Sequence, residues 1–118
     1  MPKKTFLVVD DEEMVRDITI GFLQYLYPGC AVFEAESGED VLDLLKENSA
    51  DFIITDVMMP GMTGLELSNL LKKRNPEMPI VFISGYCEPI ELIEGNIFLQ
   101  KPLTFEVFKR VMKNILGE

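Results

Sequence analysis

The chain has no histidine among its 118 residues. That absence removes histidine general bases, nucleophilic triads with a histidine member and most zinc sites. Cysteine is nearly missing as well. Cys30 and Cys87 stand far apart in sequence, and such a pair reads as two buried thiols rather than a disulfide or a metal site. Basic charge is scarce: 11 Lys and Arg face 20 Asp and Glu, for a net charge of −9. Nucleic acids and anionic membrane surfaces both demand cations on the protein, so neither is an expected partner. No apolar run approaches the roughly 20 residues that span a bilayer. No long apolar segment precedes Asp10, so the N-terminus does not read as a signal peptide, and the cytoplasm is the expected compartment. Linkers, internal repeats and low-complexity tracts are also lacking, which predicts one domain over residues 1–118.

What is present is a globular pattern. Apolar content is 47%, enough for one core at this length. Short apolar runs alternate with helical spacing. Strands are expected over Lys4–Asp10, Cys30–Ala35, Asp51–Asp56, Pro79–Ser84 and Asn96–Gln100. Helices are expected from Glu12 to about Leu26, with a stripe of Val15, Ile18, Phe22 and Leu26; from Ser37 or Gly38, with Val41, Leu42, Leu44 and Leu45 inward; from Leu65 to about Arg74; and from Thr104 to Leu116. In the last of these, Phe105, Phe108, Val111, Met112 and Ile115 face the core. Glu88–Ile93 reads as at most a short helix. Alternating strands and helices predict a parallel sheet with right-handed crossovers and helices on both faces. The pattern alone leaves strand order open.

Polar residues recur where the apolar runs end. Asp10 and Asp11 follow Leu7-Val8-Val9, Asp56 follows Phe52-Ile53-Ile54-Thr55, Ser84 follows Ile80-Val81-Phe82-Ile83, and Lys101 follows Ile97-Phe98-Leu99-Gln100. The carboxyl ends of parallel strands share one edge, where functional groups collect. These residues should therefore converge into a pocket of carboxylates, a hydroxyl and an ammonium, suited to a divalent cation and a phosphoryl group. Taken singly, each has a plainer reading. Asp10 and Asp11 could cap the helix that follows, Ser84 could be a turn hydroxyl, and Lys101 a solvated surface lysine. Asp56 is harder to dismiss, because Val57-Met58-Met59-Pro60 offers it no helix to cap.

The ordered set resembles the receiver domains of two-component response regulators. Leu7-Val8-Val9-Asp10-Asp11-Glu12, Asp56-Val57-Met58-Met59-Pro60-Gly61-Met62-Thr63-Gly64, Ser84-Gly85 and Lys101-Pro102 carry the likeness, which runs from about Lys4 to Leu116. It implies a flavodoxin-like (CheY-like) three-layer αβα sandwich whose five-stranded parallel sheet has the order 2-1-3-4-5. It implies Asp56 as phosphoacceptor, and Asp10, Asp11, Asp56 and the backbone carbonyl of Met58 as ligands of Mg²⁺. Lys101 and Ser84 would stabilise the phosphoryl group, and Ser84 and Phe98 would act as switch residues, although Phe98 also suits a simple core position. The donor implied is a phosphohistidine on a histidine kinase or histidine phosphotransfer domain. Ser84-Gly85-Tyr86 with Phe98-Leu99-Gln100-Lys101-Pro102 further resembles receivers at the C-terminus of hybrid histidine kinases. One departure stands out. Lys101 lies 17 positions after Ser84, about five fewer than such receivers have, so the fourth helix should be shortened or missing. An aspartate-nucleophile phosphatase is the competing class, but it needs Asp-x-Asp after the first strand, and Asp10-Asp11-Glu12 misplaces the second acid.

Overall fold

The computed structural model describes residues 4–85, 90–93 and 96–117. Ten elements follow one another: β1 (Thr5–Val9), α1 (Glu13–Leu26), β2 (Ala31–Ala35), α2 (Gly38–Leu44), β3 (Phe52–Asp56), α3 (Gly64–Arg74), β4 (Ile80–Ser84), β5 (Ile90–Ile93), β6 (Asn96–Gln100) and α4 (Phe105–Leu116). The sheet order is β2-β1-β3-β4-β6-β5. Without β5, the strands are all parallel and give the expected 2-1-3-4-5 order.

The segment expected to hold at most a short helix is corrected by β5, which pairs antiparallel with β6. Chain length explains the exchange. Between Ser84 and Asn96 the chain must return along the sheet to start another parallel strand. A helix covering the roughly 17 Å of a five-residue strand would need about 11 residues, whereas extended backbone needs about five. Glu88 and Pro89 of that expected segment lie outside the described residues, as do Tyr86 and Cys87.

Strand side chains alternate between two layers. Phe6, Val8, Phe52, Ile54, Val81, Ile83 and Leu99 pack against Leu23 of α1 and Phe108, Val111 and Met112 of α4. Leu7, Val9, Ile53, Phe82 and Phe98 pack against Val41 of α2, Leu67 and Leu71 of α3, and Met59. The expected stripe of α1 holds for Phe22 and Leu26, which pack against the first of these layers, and is corrected at Ile18. Its buried residues are Arg16, Thr19 and Leu23, while Ile18 is exposed. Two polar residues tolerate the interior because both are hydrogen-bonded: Thr19 Oγ1 donates to the Val15 carbonyl, and Arg16 Nη1 donates to the Asp10 carbonyl. Cys30 is half-buried rather than buried, and its Sγ donates to the Leu23 carbonyl at 3.9 Å.

Candidate functional site

Strand register assembles the site. The ladders align Val9 with Thr55, Asp56 with Ile83, and Ser84 with Gln100. Asp10, one step past Val9, therefore sits beside Asp56, and Lys101, one step past Gln100, sits beyond Ser84. Each end is pinned by backbone hydrogen bonds. Asp10 N donates to the Ala35 carbonyl at 3.1 Å, Val57 N to the Ile83 carbonyl at 3.0 Å, and Lys101 N to the Ser84 carbonyl at 2.9 Å.

The side chains then meet. Asp10 and Asp56 are buried, at 1% and 5% exposure, while Asp11 is exposed. Asp10, Asp11 and Asp56 each offer a carboxylate oxygen, and the three oxygens lie within 4.8 Å of one another. Lys101 Nζ donates to Asp56 Oδ2 at 3.0 Å and stands 3.2 Å from Asp10 Oδ2 and 3.3 Å from Glu12 Oε1. Asp10 Oδ1 accepts from the Glu12 amide at 2.9 Å, and Asp56 Oδ1 from the Met58 amide at 3.4 Å. Asp10 thus closes the turn ahead of α1; the N-cap is Glu12 and no side chain caps this helix, so the capping alternative does not hold. Ser84 is buried at the end of β4. Phe98 lies in the core, stacked on Phe82 with ring centroids 5.0 Å apart.

A divalent cation fits this donor set. Asp10 Oδ2 is buried and makes no hydrogen bond; its contact with Lys101 is an ion pair without hydrogen-bond alignment. Three hard carboxylates around such an atom are the chemistry that Mg²⁺-type ions take.

The electrostatics point the same way. Burial, helped by the neighbouring Asp56 charge, pushes the Asp10 carboxyl above its ordinary 3.8, against the opposing pull of the Glu12 amide and Lys101. Burial alone would lower Lys101, but Asp56 and Asp10 outweigh it and hold the ammonium above its usual range. A raised carboxyl means that the native state prefers Asp10 protonated. Without a cation, the fold should therefore lose stability as pH climbs above 3.8 through that raised range. In urea titrations without divalent ions, Asp10→Asn should unfold at higher urea than wild type at neutral pH, with the difference vanishing in acid. Adding the cation at about 100 times its dissociation constant should stabilise wild type by about 2.7 kcal/mol and leave Asp10→Asn unmoved. A less stable Asp10→Asn at neutral pH would contradict this account.

The structure adds two residues that the sequence reading did not assign to the site, Glu12 and Arg16. Glu12 was visible only as the neighbour of the acidic pair. Arg16 gave no signal, because hydropathy patterns place arginine outside.

Five parallel strands in 2-1-3-4-5 order, with helices on both faces, make this a flavodoxin-like, CheY-like fold. A family model for the response regulator receiver domain matches residues 6–113, and the chain belongs to that family, the receivers of two-component systems. Among its relatives is the autoinducer 1 sensor kinase/phosphatase LuxN of Vibrio campbellii, 34% identical over 120 residues. The match covers 97% of this chain but only 14% of LuxN, so the chain spans a small part of that relative. The receiver domain of the hybrid histidine kinase CckA superposes with a TM-score of 0.79 at 33% identity, covering 95% of this chain and 98% of that one. TrrA of Thermotoga maritima, solved in complex with Mg²⁺-BeF, also gives a TM-score of 0.79, at 27% identity over 95% of this chain and 98% of its own. Among the described residues, no helix is long and apolar enough to cross a membrane.

Proposed function

We propose that residues 1–118 act as one receiver domain that takes a phosphoryl group onto Asp56 in a Mg²⁺-dependent reaction. The supporting observation is the meeting of Asp10, Asp56 and Lys101, drawn from three strand ends, around one buried oxygen that lacks a hydrogen bond. Asp10, Asp11, Asp56 and the Met58 carbonyl would hold the ion, which when bound supplies positive charge for the phosphoryl oxygens.

The chain's own residues do the rest. The Asp56 carboxylate attacks the phosphorus of a phosphohistidine on a histidine kinase or phosphotransfer domain. The new P–O bond forms as the P–N bond breaks, and the departing imidazole keeps the electron pair and takes a proton from solvent. Lys101, kept cationic by its carboxylate neighbours, moves its ammonium from Asp56 to the arriving phosphoryl oxygens. Phosphoryl transfer asks a protein mainly for position and charge, and strand ends fixed by the ladder supply the first. Ser84 would hydrogen-bond the phosphoryl group and draw its loop inward, and Phe98 would repack in response, shifting the population between two surface shapes. Apart from assisting the gain and loss of its own phosphoryl group, the domain is no enzyme.

Incubation with acetyl phosphate tests this reading. In the presence of Mg²⁺, intact mass should rise by one phosphoryl group, and borohydride trapping followed by peptide mapping should place it on Asp56. With EDTA, the gain should disappear. Modification of another residue, or equal modification without Mg²⁺, would contradict the proposal.

A further inference from the structure

Arg16 is a cation inside an acidic protein. It is only 7% exposed, and a guanidinium taken from water is costly unless its donors find partners. Here they do. Nη1 donates to the Asp10 carbonyl oxygen at 2.7 Å, Nε donates to Glu34 Oε1 at 3.0 Å, and Nη2 stands 3.8 Å from Glu36 Oε1. Glu34 belongs to β2 and Glu36 follows it, so the fork bridges the edge of the sheet to the turn between β1 and α1.

The carbonyl that Arg16 holds belongs to the peptide joining Asp10 to Asp11. Asp10 is thereby fixed at its amide by Ala35, at its side chain by the Glu12 amide and at its carbonyl by Arg16. Asp11 is exposed, so the plane of that shared peptide aims its carboxylate. Phosphoryl transfer as derived above makes no use of Arg16.

We infer that Arg16 is a positioning residue for the acidic cluster. By gripping the Asp10 carbonyl, it orients the Asp10–Asp11 peptide and sets the spacing of the three carboxylates that would receive a divalent cation. Glu34 and Glu36 hold the guanidinium at its post. A lysine could reach one partner but not both sides of the bridge. The inference rests on the cation-binding reading given above.

The test is a titration of the whole chain with Mn²⁺ as a paramagnetic probe, reading the free ion by electron paramagnetic resonance, alongside thermal unfolding by circular dichroism. Wild type should bind one Mn²⁺. Arg16→Met, which keeps the apolar stem, should weaken binding about tenfold or more, as loss of a residue that orients metal ligands does. Arg16→Lys should recover part of the loss and lie within about threefold of wild type, yet measurably weaker. Wild-type affinity in a folded Arg16→Met with a lowered Tm would mean that Arg16 only supports the fold, and would overturn the inference. Should Arg16→Met not fold, wild-type affinity in Arg16→Lys would overturn it equally. Absence of Mn²⁺ binding by wild type itself would overturn both the inference and the cation site beneath it.

Discussion

Asp56→Asn will accept no phosphoryl group from acetyl phosphate, yet will fold at least as well as wild type without Mg²⁺. The substitution keeps the shape of the side chain, and its oxygen can still accept from the Met58 amide. What it loses is a carboxylate able to form an acyl phosphate, since an amide is a poor nucleophile. It also removes one of two buried like charges, the one that helps to push Asp10 upward. In wild type, Lys101 must serve both buried acids; in the variant Asp10 is the one buried carboxylate left to it, beside the exposed Glu12. Intact mass should therefore show complete loss of labelling. Calorimetry without metal should show a Tm equal to or above that of wild type, by up to about 3 °C, a change of under roughly 1 kcal/mol for a domain of this size. Labelling at the wild-type level would sink Asp56 as acceptor. Loss of labelling with a collapsed Tm would point to a role in the fold.

Among the described glycines, Gly64→Ala should be the most destabilising methyl addition. Gly64 opens α3, and its amide donates to the Val57 carbonyl at 2.8 Å. A Cβ at this position would lie 2.2 Å from the Asp56 carbonyl oxygen and 3.1 Å from Val57 Cα. Both obstacles are backbone, so no rotamer change relieves them. Either α3 withdraws or the end of β3 shifts, and the second would move the candidate acceptor itself. The expected loss is about 3 kcal/mol, at the upper end for overpacking, with a fall in Tm of about 10 °C. Gly21→Ala supplies the contrast. Gly21 lies within α1 with nothing inside 4 Å of an added Cβ, so alanine there should stabilise by about 0.5–1 kcal/mol. Equal urea midpoints for the two variants would show that the tight approach of α3 to β3 is not a constraint.

The sequence showed most of this fold for a simple reason. A parallel sheet buried on both faces writes its strands as unbroken apolar runs, and the residue after each run must lie at one edge. Asp10, Asp56, Ser84 and Lys101 could be grouped on that logic before any coordinate was known. Ile90–Ile93 escaped it, because four mostly apolar residues fit a helix and a strand equally well. Its state was decided by the distance that the chain had to cover. Arg16 and Thr19 escaped for a different reason. Periodicity treats polar residues as solvent-facing, and these two are buried because backbone carbonyls await them. Glu12 was invisible as a partner of Lys101, since 89 residues separate them and only the closed sheet brings them together.

The ladder has one further consequence. Along β6, Phe98 and Leu99 point into opposite layers, and two steps past Leu99 the chain presents the ammonium. A pairing error of one position would turn the aromatic ring out of its layer and carry Lys101 away from the acids in the same stroke. Misalignment of this strand cannot leave a sound interior around a broken cleft, so quality control that discards badly packed chains also discards chains unable to respond.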